Sequence, residues 1–180
     1  PRGVREETLV AFCSDNGPEG GSKAPGSTGG LRGRKRSLYE GGVRVPGVIV
    51  WPARIKAGTK TALPACTSDY LPTIVEIVGA KPVDDRPLDG VSLLPLFAGE
   101  MTERPRPIGF QSSGQASWVD NRWKLIRPSG KRAEYELYDL VADRSESHDL
   151  AAEHPEIVDR MSAALAAWQK SCAASSAGED

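Results

Sequence analysis

The chain has 180 residues, 39% hydrophobic and 26% charged, a length and composition that suit one ordinary domain, or one lobe with a small appendage, rather than a disordered chain. Lys plus Arg number 23 against 24 for Asp plus Glu, so the net charge of -1 excludes a global pull toward nucleic acid, and any basic function must be local. No stretch approaches the roughly 20 apolar residues of a helical membrane span, and the N-terminal residues lack a signal peptide's apolar core, which leaves export open. The missing initiator Met and the abrupt start before a strand-like run point to a chain cut from something longer.

The first predicted element is Thr8 to Cys13, an apolar run that reads as a buried, parallel-type strand delivering Ser14-Asp15-Asn16-Gly17-Pro18 at its C-terminal end, where open α/β sheets place their sites. From Gly17 to Gly42 the chain is rich in glycine and lacks apolar periodicity, which predicts a long loop over the sheet edge, of a length that is usually functional or disordered. A second strand is predicted over Val43 to Trp51, with Val48-Ile49-Val50 as its apolar centre and Pro46 and Pro52 marking its ends. A helix follows over Ser68 to Val78. Thr67, Ser68 and Asp69 can cap it, Pro72 fits its first turn, Leu71, Ile74, Val75 and Val78 share a face, and Gly79 ends it.

Residues from Lys81 to Pro107, rich in proline and charge around a short apolar insert at Val91 to Phe97, read as a connector. Four strands of a small antiparallel sheet are then predicted at Ile108 to Phe110, Ala116 to Val119, Trp123 to Arg127 and Tyr135 to Leu140. The last helix starts near Pro155, with Ile157, Val158, Met161, Leu165 and Trp168 on one face, and the small polar tail after Lys170 is expected to fray.

Two segments could carry chemistry. Asp15 and Asn16 offer a carboxylate and an amide carbonyl on adjacent residues, hard oxygen donors suited to Ca²⁺ or Mg²⁺, although Asp-Asn-Gly after a strand is by itself more often a turn. Arg32, Arg34, Lys35 and Arg36 lie among glycines that let a backbone approach closely, so they could recognise sulfate or phosphate, or simply form a solvated basic loop. Apart from Tyr39 the cluster has no interleaved aromatics for stacking nucleic-acid bases. Cys13, Cys66 and Cys172 are odd in number, far apart and without a CxxC pair, and read as isolated thiols; His148 and His154 read as surface or capping residues beside the final helix.

In order and spacing, Ser14-Asp15-Asn16-Gly17-Pro18, Leu31-Arg32-Gly33, Lys35 and Tyr39-Glu40-Gly41-Gly42-Val43-Arg44-Val45-Pro46 resemble the second signature region of type I sulfatases, members of the alkaline phosphatase superfamily. Ser68-Asp69-Tyr70-Leu71-Pro72-Thr73, Leu88-Asp89-Gly90-Val91-Ser92-Leu93-Leu94-Pro95, Trp123-Lys124-Leu125 and Leu137-Tyr138-Asp139-Leu140 resemble later landmarks of that family. Within it the chain is most similar to arylsulfatase A-like and N-acetylgalactosamine-6-sulfatase-like enzymes.

The resemblance implies an α/β fold: the C-terminal part of an alkaline-phosphatase-like sulfatase, with residues 1–104 closing a large α/β domain and residues 105–180 forming a small α+β domain of short antiparallel sheet plus helix and a frayed tail. It implies sulfate-ester hydrolysis, of a sulfated small molecule or saccharide, by a formylglycine nucleophile with Ca²⁺ in the full-length enzyme. Asp15 and Asn16 would be two of four protein ligands of the metal, and Lys35 would contact the substrate's sulfate. Family members commonly carry glycine on either side of that lysine, where this chain has Arg34 and Arg36. None of Cys13, Cys66 or Cys172 stands in the Cys/Ser-x-Pro/Ala-x-Arg context from which formylglycine is made. This chain alone is therefore expected to be inactive and to hold Ca²⁺ weakly, to need the N-terminal sulfatase domain, and to self-associate; nucleic acid and membrane are not expected partners. A periplasmic, secreted or lysosomal location goes with the family. The alternatives are a phosphodiesterase or phosphatase of the same superfamily, and a non-catalytic module.

Overall fold

The computed structural model describes residues 3–21, 24–81, 87–130 and 134–179. In chain order its elements are β1 (Val10–Cys13), α1 (Glu40–Val43), β2 (Gly47–Val50), a 3-10 turn (Thr67–Asp69), α2 (Tyr70–Val78), α3 (Leu94–Phe97), β3 (Ile108–Ser112), β4 (Gln115–Asp120), β5 (Trp123–Arg127), β6 (Glu136–Asp139) and α4 (Pro155–Ala177). The chain divides into two compact units: residues 1–14 with 46–106, and residues 15–45 with 107–180.

In the first unit β1 pairs with β2, Val10 opposite Val50 and Phe12 opposite Val48. The pairing is antiparallel, which corrects the expectation of a parallel-type strand: the partner in the described chain is a strand that returns in the opposite direction. It is not a covered strand either, since Val10, Phe12, Val48 and Val50 are all exposed. The uniform apolar run suits a strand covered on both faces, but among the described residues both faces of β1 are open.

Helix α2 begins two residues later than its sequence suggests, because Thr67–Asp69 form a 3-10 turn first. Pro72 lies in its first turn, and Gly79, at φ 64°, ends it in the left-handed conformation that glycine adopts without steric cost. The predicted apolar face is present but turned outward, with Leu71, Ile74 and Val78 more than half exposed. Its buried residue is Thr73.

That buried side is polar and hydrogen-bonded. Asp69 accepts two bonds of 2.7 Å from the Arg104 guanidinium, and its oxygens also take the amides of Cys66 at 2.7 Å and Val91 at 2.8 Å. Thr73 Oγ1 donates to Asp69 O at 2.6 Å and accepts Leu93 N at 2.9 Å. Gly90 approaches so closely that a Cβ there would lie 2.1 Å from Ser68 O. Two of the sequence landmarks, around Asp69 and Gly90, are thus one buried joint. The predicted connector contains α3 at its apolar insert; its residues 82–86 lie outside the described residues.

The second unit holds a four-stranded antiparallel meander in the order β3-β4-β5-β6, as predicted. Ser113 and Gly114, both at positive φ, make the two-residue turn between β3 and β4, the backbone that primed hairpin turns require. Helix α4 covers one face. Ala116, Trp118, Leu125, Leu137, Met161 and Leu165 form the core cluster, and Ile157, Val158 and Trp168 pack against it. The Trp168 ring lies so close to Gly109 on β3 that a Cβ there would meet it at 2.6 Å. The segment expected to fray is helical as far as Ala177, since its alanines are the strongest helix formers, and Gly178 at φ 74° stops it.

The chain is thus an α+β assembly of short antiparallel sheets and helices.

Candidate functional site

The two signature segments are stitched to each other within the second unit. Gly17 N donates to Gly42 O at 2.8 Å, Lys35 N to Pro18 O at 3.0 Å, and Gly41 N to Arg32 O at 2.7 Å. The glycines are what allow this: a Cβ on Gly17 would fall 1.9 Å from Gly41 O, one on Gly41 2.3 Å from Gly33 O, and one on Gly42 2.0 Å from Ser37 O. Three backbone strands of loop therefore pass within van der Waals distance, which only glycine permits. The long loop is as predicted except at its end, where residues 40–43 make the single-turn α1.

Asp15 and Asn16 emerge at the edge of this stitched loop. Asp15 Oδ1 accepts Asn16 N at 2.9 Å, and Asn16 Nδ2 donates to Gly17 O at 2.9 Å, which fixes the amide's orientation. Both line a depression of about 190 Å³ together with Arg36, Ser37, Phe110 and Ser112. Lys35 is not among the lining residues. Its Nζ lies 3.4 Å from Glu19 Oε2, and Arg36 pairs with the other oxygen of the same carboxylate. Bonds from Gly20 N, and then from Arg36, pull the Glu19 carboxyl down to about 2.

The four clustered cations do different things. Arg32 is structural: its guanidinium stacks 3.8 Å over the Tyr39 ring and donates to Tyr138 Oη at 2.7 Å and Glu146 O at 3.2 Å. Tyr39 and Tyr138 both donate to Glu136 Oε2, at 2.7 and 2.6 Å, and burial together with that carboxylate pushes both phenols well above their ordinary range. Arg34 donates to the carbonyls of Glu19 at 2.8 Å and Gly26 at 3.1 Å, tying its loop together. Arg36 stands at φ 74°, a left-handed conformation that favours glycine. Of the two arginines that stand where glycine is common beside Lys35, Arg36 thus carries a strained backbone.

Sequence reasoning missed the charged cluster beneath this loop. Lys124 Nζ, wholly buried, lies 2.9 Å from Glu40 Oε1 and 2.9 Å from Glu146 Oε1, while Glu146 Oε2 accepts Glu40 N at 2.6 Å and Arg44 bonds Glu40 Oε2 at 3.0 Å. Burial raises the Glu146 carboxyl, against the opposing pull of Lys124. A lysine within the apolar alternation of β5 was the available signal; Glu146, from a loop at positive φ, left none. His148 is exposed beside Glu153, and His154 stands at the N-cap of α4 against Trp123, so both occupy the surface and capping places expected of them. Cys13, Cys66 and Cys172 form no disulfide with one another.

As metal ligands, Asp15 and Asn16 fit calcium in donor type, two hard oxygens on adjacent residues, but not in number, because calcium takes six to eight. Among the described residues no group of three or more His, Cys, Asp or Glu is placed to hold a metal ion.

Residues 33–171 match the C-terminal region of the N-sulphoglucosamine sulphohydrolase family. An N-acetylgalactosamine-6-O-sulfatase of Bacteroides thetaiotaomicron is 31% identical over 185 residues, which take in 90% of this chain and 36% of that protein. Human arylsulfatase A is 45% identical over 98 residues, 54% of this chain and 19% of the relative. The crystal structure of Ps i-CgsB in complex with k-i-k-neocarrahexaose superposes with a TM-score of 0.81 at 28% identity, covering 93% of this chain and 37% of that one. The chain spans less than half the length of each. With the family match running from Gly33 within the basic loop through the antiparallel sheet, the chain belongs to the type I sulfatases, as a stretch of their C-terminal region.

Proposed function

We propose that this chain is the C-terminal part of an enzyme that hydrolyses sulfate esters of sugars, with Asp15 and Asn16 as two ligands of a catalytic Ca²⁺ and Lys35 as a contact to the substrate's sulfate. One observation carries the reading: the bonds from Gly17 to Gly42 and from Lys35 to Pro18 put the oxygen pair and the cationic loop side by side. The sulfated sugar follows the relatives, one an N-acetylgalactosamine-6-O-sulfatase and one a structure holding a neocarrahexaose. Calcium in such a site withdraws charge from sulfate oxygens. Lys35 would add a second positive group on the same ester, worth most where charge develops on the sulfuryl group and the leaving oxygen. Glu19 holds Lys35 Nζ and Arg36 until an anion competes for them. The formylglycine that attacks sulfur belongs to this reading through the family; the sequence here contains no motif for it, so the 180-residue chain alone is expected to be inactive.

The test uses the enzyme that contains this region, with N-acetylgalactosamine 6-sulfate as substrate. Asp15→Ala and Lys35→Met are each expected to lower kcat/KM by about 100-fold, the usual loss for one electrostatic partner of the transition state. Wild-type turnover in both variants would sink the assignment, and so would calcium-independent turnover after exhaustive chelation.

A further inference from the structure

We infer that Lys124 is a positioning residue for the Asp15-Asn16 segment, acting from beneath the loop through Glu40 and α1. The inference rests on the proposed reading only for what that segment does; where the lysine acts is a matter of geometry within the second unit.

The route is a short series of bonds. Lys124 is fixed in the middle of β5, with Val119 and Tyr138 opposite it on the two neighbouring strands, and its side chain has no exposure. Its ammonium lies 2.9 Å from one oxygen of Glu40 and 2.9 Å from one of Glu146. Glu40 is the first residue of α1, and its amide is in turn held by the other Glu146 oxygen at 2.6 Å. Two residues on, Gly42 O receives the Gly17 amide at 2.8 Å, directly after Asp15 and Asn16.

An apolar contact could have anchored so short a helix, yet here the anchor is a buried cation between two buried carboxylates. Such pairs are costly to bury and are weak devices for stability alone, while their directionality can fix one register among several. Glycines at 17, 41 and 42 let the backbones touch but supply no side chain to hold them. Lys124 supplies the missing constraint: it sets α1 on the sheet, and α1 sets the Gly17 amide.

The experiment compares amide hydrogen exchange at Gly17 with exchange at Leu125, a buried core residue of β5, in the 180-residue chain. Three forms are needed: wild type, Lys124→Met, and Lys124→Met with Glu146→Gln, the last removing one charge of each sign while Glu40 keeps its Arg44 partner. In the double variant Gly17 is expected to exchange about tenfold faster or more while Leu125 keeps its protection, the signature of local rather than global opening. Lys124→Arg, which keeps the charge, is expected to recover part of the Gly17 protection. Unchanged exchange at Gly17 overturns the inference. Parallel loss at Gly17 and Leu125, unfolding included, overturns it too, because the lysine would then be a stability element only. In the enzyme that contains this region, the double variant is expected to need about tenfold more calcium for half-maximal turnover. If exchange responds and calcium demand does not, the positioning role stands and the metal assignment falls; if the Asp15→Ala and Lys35→Met losses are found but Gly17 exchange is unmoved, the reverse holds.

Discussion

The two compact units are built from similar amounts of apolar sequence but are held in opposite ways. In the unit of residues 107–180 and 15–45, apolar residues at period two on β4 and β5 meet apolar residues at helical period on α4, and Leu125, Leu137, Met161 and Leu165 lose all exposure. In the unit of residues 1–14 and 46–106, Val10, Phe12, Val48, Val50, Leu71, Ile74 and Val78 lie outward, and the centre is an ion pair, Asp69 with Arg104, surrounded by backbone amides. Periodicity tells that a face is apolar. It does not tell where the surface that covers it comes from.

The sharpest way to break this contrast is at its polar centre. Asp69→Ala leaves the Arg104 guanidinium buried without its bidentate partner and releases the amides of Cys66 and Val91, and removing one member of such a pair costs about 3–5 kcal/mol. Urea denaturation followed by exchange at α2 amides should show that unit opening first. A loss below about 1 kcal/mol would mean that something other than this pair holds it.

Next in size is the dry core. Leu165→Ala deletes a wholly buried side chain from the α4 face and should cost about 2–5 kcal/mol, with the exact value set by how far Leu125 and Met161 can close the gap. The contrast predicts that its effect on exchange is confined to β4, β5 and α4 amides. Equal loss of protection in α2 would show that the two units do not open separately.

How much of this could be read beforehand differs between the units for the same reason. The meander, its hairpin turns and the apolar face of α4 follow from local chemistry: period two, Ser113-Gly114 and Asn121 at positive φ, Pro155 at the first helical turn. The direction of β1 and the outward face of α2 did not follow, because each depends on partners distant in sequence. In the candidate site, Asp15, Asn16 and Lys35 were legible as a motif, and their neighbourhood follows from the glycines between them. The cluster of Glu40, Lys124 and Glu146 was not: Glu40 and Lys124 stand in recognisable segments, but charged residues at positions 40, 124 and 146 come together only when the fold buries them.

A smaller effect separates two arginines that look equivalent in sequence. Arg34 bonds the carbonyls of Glu19 and Gly26, so Arg34→Gly should loosen the loop, whereas Arg36 holds a left-handed backbone, so Arg36→Gly should relieve strain of about 1 kcal/mol. The Arg36 bond to Glu19 is solvent-exposed and offsets little of that gain. Thermal denaturation should therefore move in opposite directions for the two variants. If both are destabilising to the same extent, the φ value at Arg36 is not a cost that the loop bears. The pair also sharpens the question of substrate charge: in the enzyme that contains this region, Arg36→Gly should weaken the salt dependence of turnover on a sulfated oligosaccharide without disturbing the loop, a separation that Arg34→Gly cannot provide.

The smallest expected change in stability comes from the open face of the two-stranded sheet. Val10, Phe12, Val48 and Val50 alternate along their strands and oppose one another across them, so all four stand on one face, and the least exposed of them is still 46% open. Replacing Phe12 with Ser and Val48 with Thr removes little that is buried in this chain, and such surface changes usually stay within about 0.5 kcal/mol. Self-association is a different matter. An apolar face beside unpaired strand edges invites pairing with another copy, by edge addition or by exchange of elements. Sedimentation velocity over a range of concentration should show the wild-type chain associating and the double variant shifted toward monomer, with both melting alike. A variant that melts far earlier would mean that this face is covered within the chain. A wild-type chain that stays monomeric at the highest concentration would mean that the open face is not sticky enough to matter, and the contrast between the two units would then be one of packing without consequence for assembly.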